Sequence, residues 1–148
     1  MQIEAKASVR FNVPPEAIFE HIGDPTMHDA WSAKAPLKVQ KIGEDPIGVG
    51  STFHSSSKFL GKPVSSQLTI TQHDPPKRMA FTAVHADGTY EHDFTLEERD
   101  GGTLVTRRVT IPKPAGLKGL LARFVAPTAI AREAVKALKR LRSQIESP

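Results

Sequence analysis

The sequence predicts an α+β fold in which a curved antiparallel sheet is crossed by one long helix. Apolar residues alternate with polar ones near the amino terminus, as in a half-buried strand. Residues 36–116 show closely spaced turn signals and no helical period, which favours a strand meander. After Pro112 and Pro114 the apolar period becomes helical. The chain has 148 residues, the length of one ordinary core, so we expect a single domain over residues 1–148.

The first predicted elements are a strand and two short helices. Residues 3–13 carry apolar side chains on one parity and polar side chains on the other. Pro14-Pro15-Glu16 ends this strand and is typical of a helix start, and the helix should end near Gly23. Asp24-Pro25 then predicts the cap of a second short helix that reaches Trp31, which we expect in the core.

Hairpin turns predict which strand residues share a face, because residues opposite each other in a ladder point to the same side. A turn at Gly61-Lys62 pairs Phe59 with Val64, and a turn at Asp87-Gly88 pairs His85 with Tyr90. A third turn, centred on Asp100-Gly101 or on Gly101-Gly102, joins the last two strands. A three-residue loop there would reverse the face assigned to the last strand. Together they assign one set of side chains to the inner face: Phe53, Ser55, Ser57, Phe59, Val64, Ser66, Leu68, Ile70, Met79, Phe81, Ala83, His85, Tyr90, His92, Phe94, Leu96, Val105, Arg107, Val109 and Ile111.

The closing segment is predicted to be one amphipathic helix. Its apolar positions recur every three or four residues from Leu117 to Ile145, and Leu138 lies on that line. Pro127 cannot donate to the helical ladder, so we expect a kink or break near residues 125–127.

Charge and cysteine content narrow the classes of protein. The net charge is +4, and residues 113–148 hold eight basic and two acidic side chains, a net +6 that leaves −2 for residues 1–112. The absence of cysteine excludes disulfides and thiolate chemistry and suits a reducing compartment. The sequence shows neither a signal-peptide core nor a stretch of about 18 apolar residues. We therefore expect a soluble cytoplasmic protein, either a monomer or a homodimer.

Several motifs carry a family resemblance that covers essentially the whole chain. They are residues 13–19 (VPPEAIF), Asp24-Pro25 with Trp31, residues 48–53 (GVGSTF), residues 74–79 (DPPKRM), residues 94–96 (FTL), residues 102–106 (GTLVT) and the closing helix. In this order they resemble the helix-grip superfamily of START-like and birch-pollen-allergen-like proteins, in particular the bacterial polyketide cyclase/dehydrase and lipid-transport (SRPBCC) group. The resemblance implies a seven-stranded sheet wrapped around the helix, two short helices between strands 1 and 2, and a cavity for an apolar small molecule. Members of this family share no catalytic motif, so the resemblance assigns no catalytic residue.

We therefore expect binding or transport of a small hydrophobic ligand, such as a lipid, a polyketide or a quinone-like molecule. The predicted ligand-binding residues are Phe53, Ser55, Ser57, Ser66, Leu68, Phe81, His92, Phe94, Arg107 and Leu138. A polyketide cyclase or dehydratase is the enzymatic alternative, with His85 or His92 as general base and Tyr90 or Arg107 stabilising an oxyanion. A third alternative is a protein-interaction module without a ligand.

The sequence lacks the motifs that are typical of metal, cofactor and nucleic-acid binding. The six histidines show no helical metal-ligand spacing, and residues 48–50 (GVG) lack the third glycine of a dinucleotide site, so we expect no metal and no cofactor. The cations of the closing helix are not interleaved with aromatic residues, which argues against nucleic acid. They form either a solvated face or a surface for contact with an anionic membrane, at positions 132, 136, 139, 140 and 142.

Overall fold

A computed structural model describes residues 2–32, 37–59 and 61–147. Its strands are β1 (Gln2–Phe11), β2 (Leu37–Ile42), β3 (Thr52–Phe59), β4 (Lys62–Asp74), β5 (Arg78–His85), β6 (Gly88–Arg99) and β7 (Gly102–Pro112). Between β1 and β2 lie helix α1 (Pro15–Ile22) and a 3-10 helix (Pro25–Ala30), and the chain closes with α2 (Gly116–Glu146). The strands form one antiparallel sheet in the order β1-β7-β6-β5-β4-β3-β2. The predicted helix-grip architecture is confirmed.

The short helices seal one end of the sheet. Pro15 occupies the first turn of α1, where a missing N–H costs nothing, and the helix turns Ile18, Phe19 and Ile22 into the core. The Asp24 side chain accepts a hydrogen bond of 3.0 Å from the Thr26 N–H and so caps the 3-10 helix. Trp31 follows directly and is 1% exposed, as expected of a core residue.

The hairpin registers differ from the sequence prediction by two residues in two places. The β3–β4 hairpin closes at Phe59 and Lys62, so Ser55 lies opposite Ser66 and Phe53 opposite Leu68. The β5–β6 hairpin closes at His85 and Gly88, which places Phe81 opposite His92. A shift of two residues preserves the face of every side chain, because side chains alternate with period two. The inner face is therefore the predicted one, and the β6–β7 turn at Asp100-Gly101 follows one of the two predicted registers.

The two faces of the sheet differ in character. The concave face is apolar and packs with α1, the 3-10 helix and α2 into one core. The convex face carries cross-strand ion pairs, Arg78 with Asp93 at 2.6 Å and Arg108 with Glu4 at 3.2 Å. Arg108 lies opposite Asp93 in the ladder, but each forms its ion pair with a residue on another strand.

Helix α2 is continuous through Pro127, so of the kink or break expected near residues 125–127 the break is wrong, and the kink stays a prediction. Proline removes one ladder hydrogen bond, to the carbonyl of Arg123, and solvent can satisfy that carbonyl because Arg123 is exposed. Within the described residues, no helix is both long enough and apolar enough to cross a bilayer.

The two halves of α2 are held differently. In the carboxyl-terminal half, Ala134, Ala137, Leu138 and Leu141 are buried against the sheet. Polar side chains fasten the same half: Arg140 donates to the Ser32 carbonyl and Gln144 to the Ala30 carbonyl, each at 2.6 Å, while Arg142 donates to the Arg10 carbonyl at 3.1 Å. The amino-terminal half instead exposes an apolar stripe, defined as Leu117, Leu120, Leu121, Phe124 and Val125, whose exposed fractions run from 50% to 75%.

Candidate ligand-binding site

Burial changes along the concave face from one end of the sheet to the other. Near the β6–β7 turn, Phe11, Met79, Phe94 and Val105 are completely enclosed. At the opposite end, the side chains of His85, Tyr90, Ile111, Ser57 and Val64 are only partly buried. Strand β7 finishes at this second end, and α2 begins four residues after it. The apolar stripe of α2 therefore starts beside the partly open end of the sheet.

Arg107 lies on the concave face at the boundary between the closed and the open regions. Its Nη2 donates to Nδ1 of His92 at 3.2 Å, and its guanidinium carbon lies 5.1 Å from the centre of the Phe94 ring. The His92 ring in turn stacks on Phe81, with centroids 4.7 Å apart and planes 12° apart. Burial lowers the pKa of Arg107 to about 10, so the group remains charged at neutral pH. The structure thus joins two predicted site residues, His92 and Arg107, around two aromatic rings.

His28 is a buried neighbour of this group that sequence reasoning did not select. It lies on the 3-10 helix, 7% exposed, and its ring contacts Trp31, Phe81 and Phe94. Nε2 lies 2.8 Å from the Ile22 carbonyl, which can only accept, so Nε2 carries the proton. Desolvation, aided by the charge of Arg107, lowers the pKa of His28 to about 4 against the opposing effect of that hydrogen bond. A six-residue helix shows no periodicity that could have indicated the buried position.

The three serines predicted to bind the ligand, Ser55, Ser57 and Ser66, lie on β3 and β4 near the far edge of the sheet. Ser55 and Ser66 are directly opposite each other and both are 8% exposed. Phe53, Leu68 and the α2 residue Leu138 are also buried, and Ser57 is partly buried opposite Val64. These residues line the same concave face as Arg107, and their role in binding stays a prediction.

The remaining catalytic candidates form a second pair, near the β5–β6 turn. The His85 and Tyr90 rings meet edge to face with centroids 4.6 Å apart. The Tyr90 hydroxyl donates to Asp87 at 2.7 Å. Burial, this hydrogen bond and the Asp87 charge raise the pKa of Tyr90 to about 12. The four candidates are therefore held as two pairs, His85 with Tyr90 and His92 with Arg107.

Two surface clefts lie elsewhere on the molecule. One, of about 660 Å³, opens between β1 and the middle of α2 and is lined in part by Ala7, Ala131 and Val135. The other, of about 340 Å³, adjoins the β6–β7 turn and Pro14. None of the predicted ligand-binding residues lines either cleft.

A curved antiparallel sheet around a carboxyl-terminal helix, with two short helices after the first strand, defines the helix-grip class of proteins. The chain belongs to the family described as polyketide cyclase / dehydrase and lipid transport, whose sequence profile matches residues 2–146. No protein with a curated description matches the sequence at a significant level.

Solved structures with low sequence identity share the fold. TTHA0849 from Thermus thermophilus superposes with a TM-score of 0.76 at 18% identity over 97% of both chains. CV1439 from Chromobacterium violaceum gives a TM-score of 0.73 at 16% identity over 98% of both chains. Ara h 8.0201 gives 0.72 at 14% identity over the full length of both. At such identities the likeness establishes the fold alone.

Proposed function

We propose that this protein binds and transports a small hydrophobic ligand, held between the concave face of the sheet and the amino-terminal half of α2. The observation that carries the proposal is the apolar stripe of α2, left uncovered beside the partly open end of the sheet. Soluble proteins rarely leave such a contiguous stripe exposed unless it binds something. An apolar ligand at this position would remove both surfaces from water at a gain of about 25 cal/mol per Å².

The polar groups on the concave face suit binding better than catalysis. Because a guanidinium only donates, Nδ1 of His92 is the acceptor from Arg107 and carries no proton. The neutral ring then has its proton on Nε2 and lacks a free lone pair for a general base. The Tyr90 proton is likewise directed to Asp87. A few fixed polar groups within an apolar lining are typical of sites that orient a ligand.

A neutral dye tests the location of the ligand. We expect the wild-type protein to bind Nile red saturably, and Ser66→Phe, which fills the concave face, to weaken binding at least about tenfold. Ser65→Phe is the matched control, because Ser65 is exposed on the convex face. Leu121→Ser, in the apolar stripe, should also weaken binding without altering the core. Equal affinities for all four proteins, or no binding by the wild type, would contradict the proposal.

The identity of the natural ligand needs a separate measurement. Native mass spectrometry of protein purified from its own host should reveal a bound small molecule, which fragmentation identifies. Turnover of that molecule by the purified protein would shift the assignment to the cyclase or dehydratase alternative. Repeated recovery of ligand-free protein would count against carriage.

We also propose that α2 contacts an anionic membrane, as a carrier must to exchange its cargo, and that the protein acts in the cytoplasm. The apolar stripe is flanked by exposed Lys118 and Arg123, an arrangement that suits an interfacial helix. Of the cations expected to form this surface, those at 132, 136, 139 and 140 are exposed, although Arg140, like Arg142, donates to a backbone carbonyl.

Sedimentation with vesicles tests this contact. We expect binding to vesicles that contain phosphatidylserine, weaker binding to pure phosphatidylcholine vesicles, and loss of binding in the Leu121→Ser/Phe124→Ser double variant. Val84→Ser removes an exposed apolar side chain outside α2 and should leave vesicle binding unchanged. Binding that survives the double variant would place the contact elsewhere on the protein.

A further inference from the structure

The guanidinium of Arg107 is an enclosed cation that has no anionic partner in the part of the chain that the structure describes. Its contacts are His92, which is held as a neutral acceptor, and the face of Phe94. Among the described residues no carboxylate forms an ion pair with it, and its enclosed Nε has no acceptor. By contrast, the next residue in the chain, Arg108, faces solvent and pairs with Glu4.

A second buried donor lies against the same aromatic ring. Nε1 of Trp31 has no hydrogen-bond partner among the described residues, and the Trp31 ring meets Phe94 edge to face at 6.0 Å. Buried donors without acceptors are rare, because each one costs a large part of its hydration free energy. Among the described residues, Nε1 of Trp31 and Nε of Arg107 both lack a hydrogen-bond acceptor, and Arg107 also lacks a negatively charged partner.

The charge balance of this region indicates how much negative charge is missing. His28 donates through Nε2 as a neutral ring, and His92 accepts at Nδ1, so Arg107 supplies the one positive charge of the group. A single carboxylate would neutralise it, and its planar pair of oxygens matches the donor geometry of a guanidinium. A phosphate monoester, which carries almost two negative charges at neutral pH, would leave an excess of negative charge buried.

We propose that the ligand is a hydrophobic monocarboxylate whose carboxylate binds Arg107, with the indole N–H of Trp31 as a second donor. The inference rests on the proposed function, since it names the chemical class of the ligand at that site. The apolar body of the acid then extends along the concave face toward the open end of the sheet and the apolar stripe of α2.

The test compares two probes of equal chain length, dodecanoate and 1-dodecanol, by isothermal titration calorimetry at neutral pH. We expect the wild-type protein to bind dodecanoate about 10- to 100-fold more tightly, the range of a charge-assisted hydrogen bond. Arg107→Met should remove this preference while dodecanol still binds. Arg107→Lys should keep a reduced preference, because the charge remains but the paired donors do not. Trp31→Phe removes the indole N–H together with part of the buried ring. It should weaken dodecanoate binding a few fold more than it weakens dodecanol binding, because only the acid uses the N–H.

Arg108→Met is the matched control, since it deletes the same charge from the opposite face of β7, and it should retain the full preference for the acid. Equal binding of dodecanoate and dodecanol by the wild type, or a preference that survives in Arg107→Met, would overturn the monocarboxylate assignment and leave hydrophobic binding intact. If neither probe nor Nile red binds, hydrophobic binding itself is contradicted.

Discussion

Arg107 is a residue whose buried charge should destabilise the ligand-free protein, and the proposed binding of a carboxylate gives a reason for its presence. Its side chain is charged and its Nε is enclosed, yet the described part of the chain offers it only a histidine nitrogen and an aromatic face. Breaking or omitting the partner of a buried charge is strongly destabilising, whereas replacing buried ionic groups by apolar ones of similar volume is often stabilising. The ligand-free protein should therefore be less stable than a version without this charge.

We predict that Arg107→Met raises the free energy of unfolding of the ligand-free protein by roughly 1–3 kcal/mol. For a chain of this length, each kcal/mol shifts the melting temperature by about 2–4 °C. Thermal unfolding followed by circular dichroism measures the shift. Arg108→Met should instead leave the melting temperature nearly unchanged, because exposed ion pairs contribute little. A lower melting temperature for Arg107→Met would show that the cation–π contact outweighs the burial of charge.

His28 should make stability depend on pH in a defined window. Its pKa is about 4 in the folded protein and 6.5 in an unfolded chain, so between these values the unfolded state binds more protons. Stability is fully retained above about pH 6.5 and falls as the pH drops toward 4, by roughly 3 kcal/mol in all. Urea unfolding at pH 7.5 and 4.5 should show this loss in the wild type and a smaller one in His28→Gln. His54→Gln, at an exposed position, should behave as the wild type.

For single residues, the alternation of side chains along a strand predicted the face of a side chain better than the pattern of a short helix did. Alternation along β6 and β7 correctly predicts that His92 and Arg107 share the concave face, because side chains in a strand have only two directions. Among the described residues Arg107 has no carboxylate partner, a fact that depends on distances between strands and helices, which parity does not contain. His28 could not be recognised, because one turn of 3-10 helix gives no repeated apolar position.

Among the secondary-structure elements, the two hairpins show that the sequence predicted the position of each turn but not the exact pairing register of its strands. Gly61 and Gly88 marked both turns correctly, but a glycine with positive φ can occupy different positions within or beside a turn. The β3–β4 turn includes Gly61, with φ 78°, whereas Gly88, with φ 138°, is the first paired residue after its turn. The predicted face of each side chain is still correct, because the error in the register is an even number of residues.

A close approach at the start of β7 gives a prediction for one strand. A Cβ on the buried Gly102 would collide with the carbonyl oxygen of Phe11 and crowd the Arg10 guanidinium, although the glycine itself has no positive φ. We expect Gly102→Ala to lower the free energy of unfolding by about 1–3 kcal/mol. Gly48→Ala, where a Cβ meets no atom within 4 Å, is the control and should be neutral or slightly stabilising. Chemical denaturation of both variants separates the two cases, and equal stabilities would contradict the predicted clash.

Helix α2 has one apolar line in the sequence but two environments in the structure. The i, i+3, i+4 spacing is the same before and after Pro127, so periodicity does not distinguish the two halves of the helix. The carboxyl-terminal half is covered, and among the described residues its side chains hold it to the end of the 3-10 helix, to Ser32 and to the end of β1. The position of a rigid helix relative to a sheet is decided by such tertiary contacts.

For the whole molecule, this difference predicts unequal protection of α2 from solvent. Hydrogen–deuterium exchange should be fast in residues 116–127 and slow in residues 134–145, since the first half has few buried contacts. Saturation with a bound ligand should slow exchange in the first half and on the facing strands, with little change in the second half. Uniform protection along α2 in the ligand-free protein would contradict the two-part description.

The same apolar stripe cannot cover a ligand and enter a membrane at once. If both proposals hold, the two contacts compete, and a membrane surface that takes up the stripe opens the site. Such a coupling would let the bilayer promote release of the cargo, since each contact gains from burying the same side chains.

The pairing of β1 with β7 also determines when the fold can be completed during synthesis. Ile3 lies opposite Ile111, so β1 leaves the ribosome about a hundred residues before its partner strand exists. Until then its apolar face has neither β7 beside it nor α2 above it. Contacts so distant along the chain slow folding, because the intervening loop must be ordered first. The newly made chain therefore passes through a long interval in which its first strand is a target for chaperones or for unwanted association.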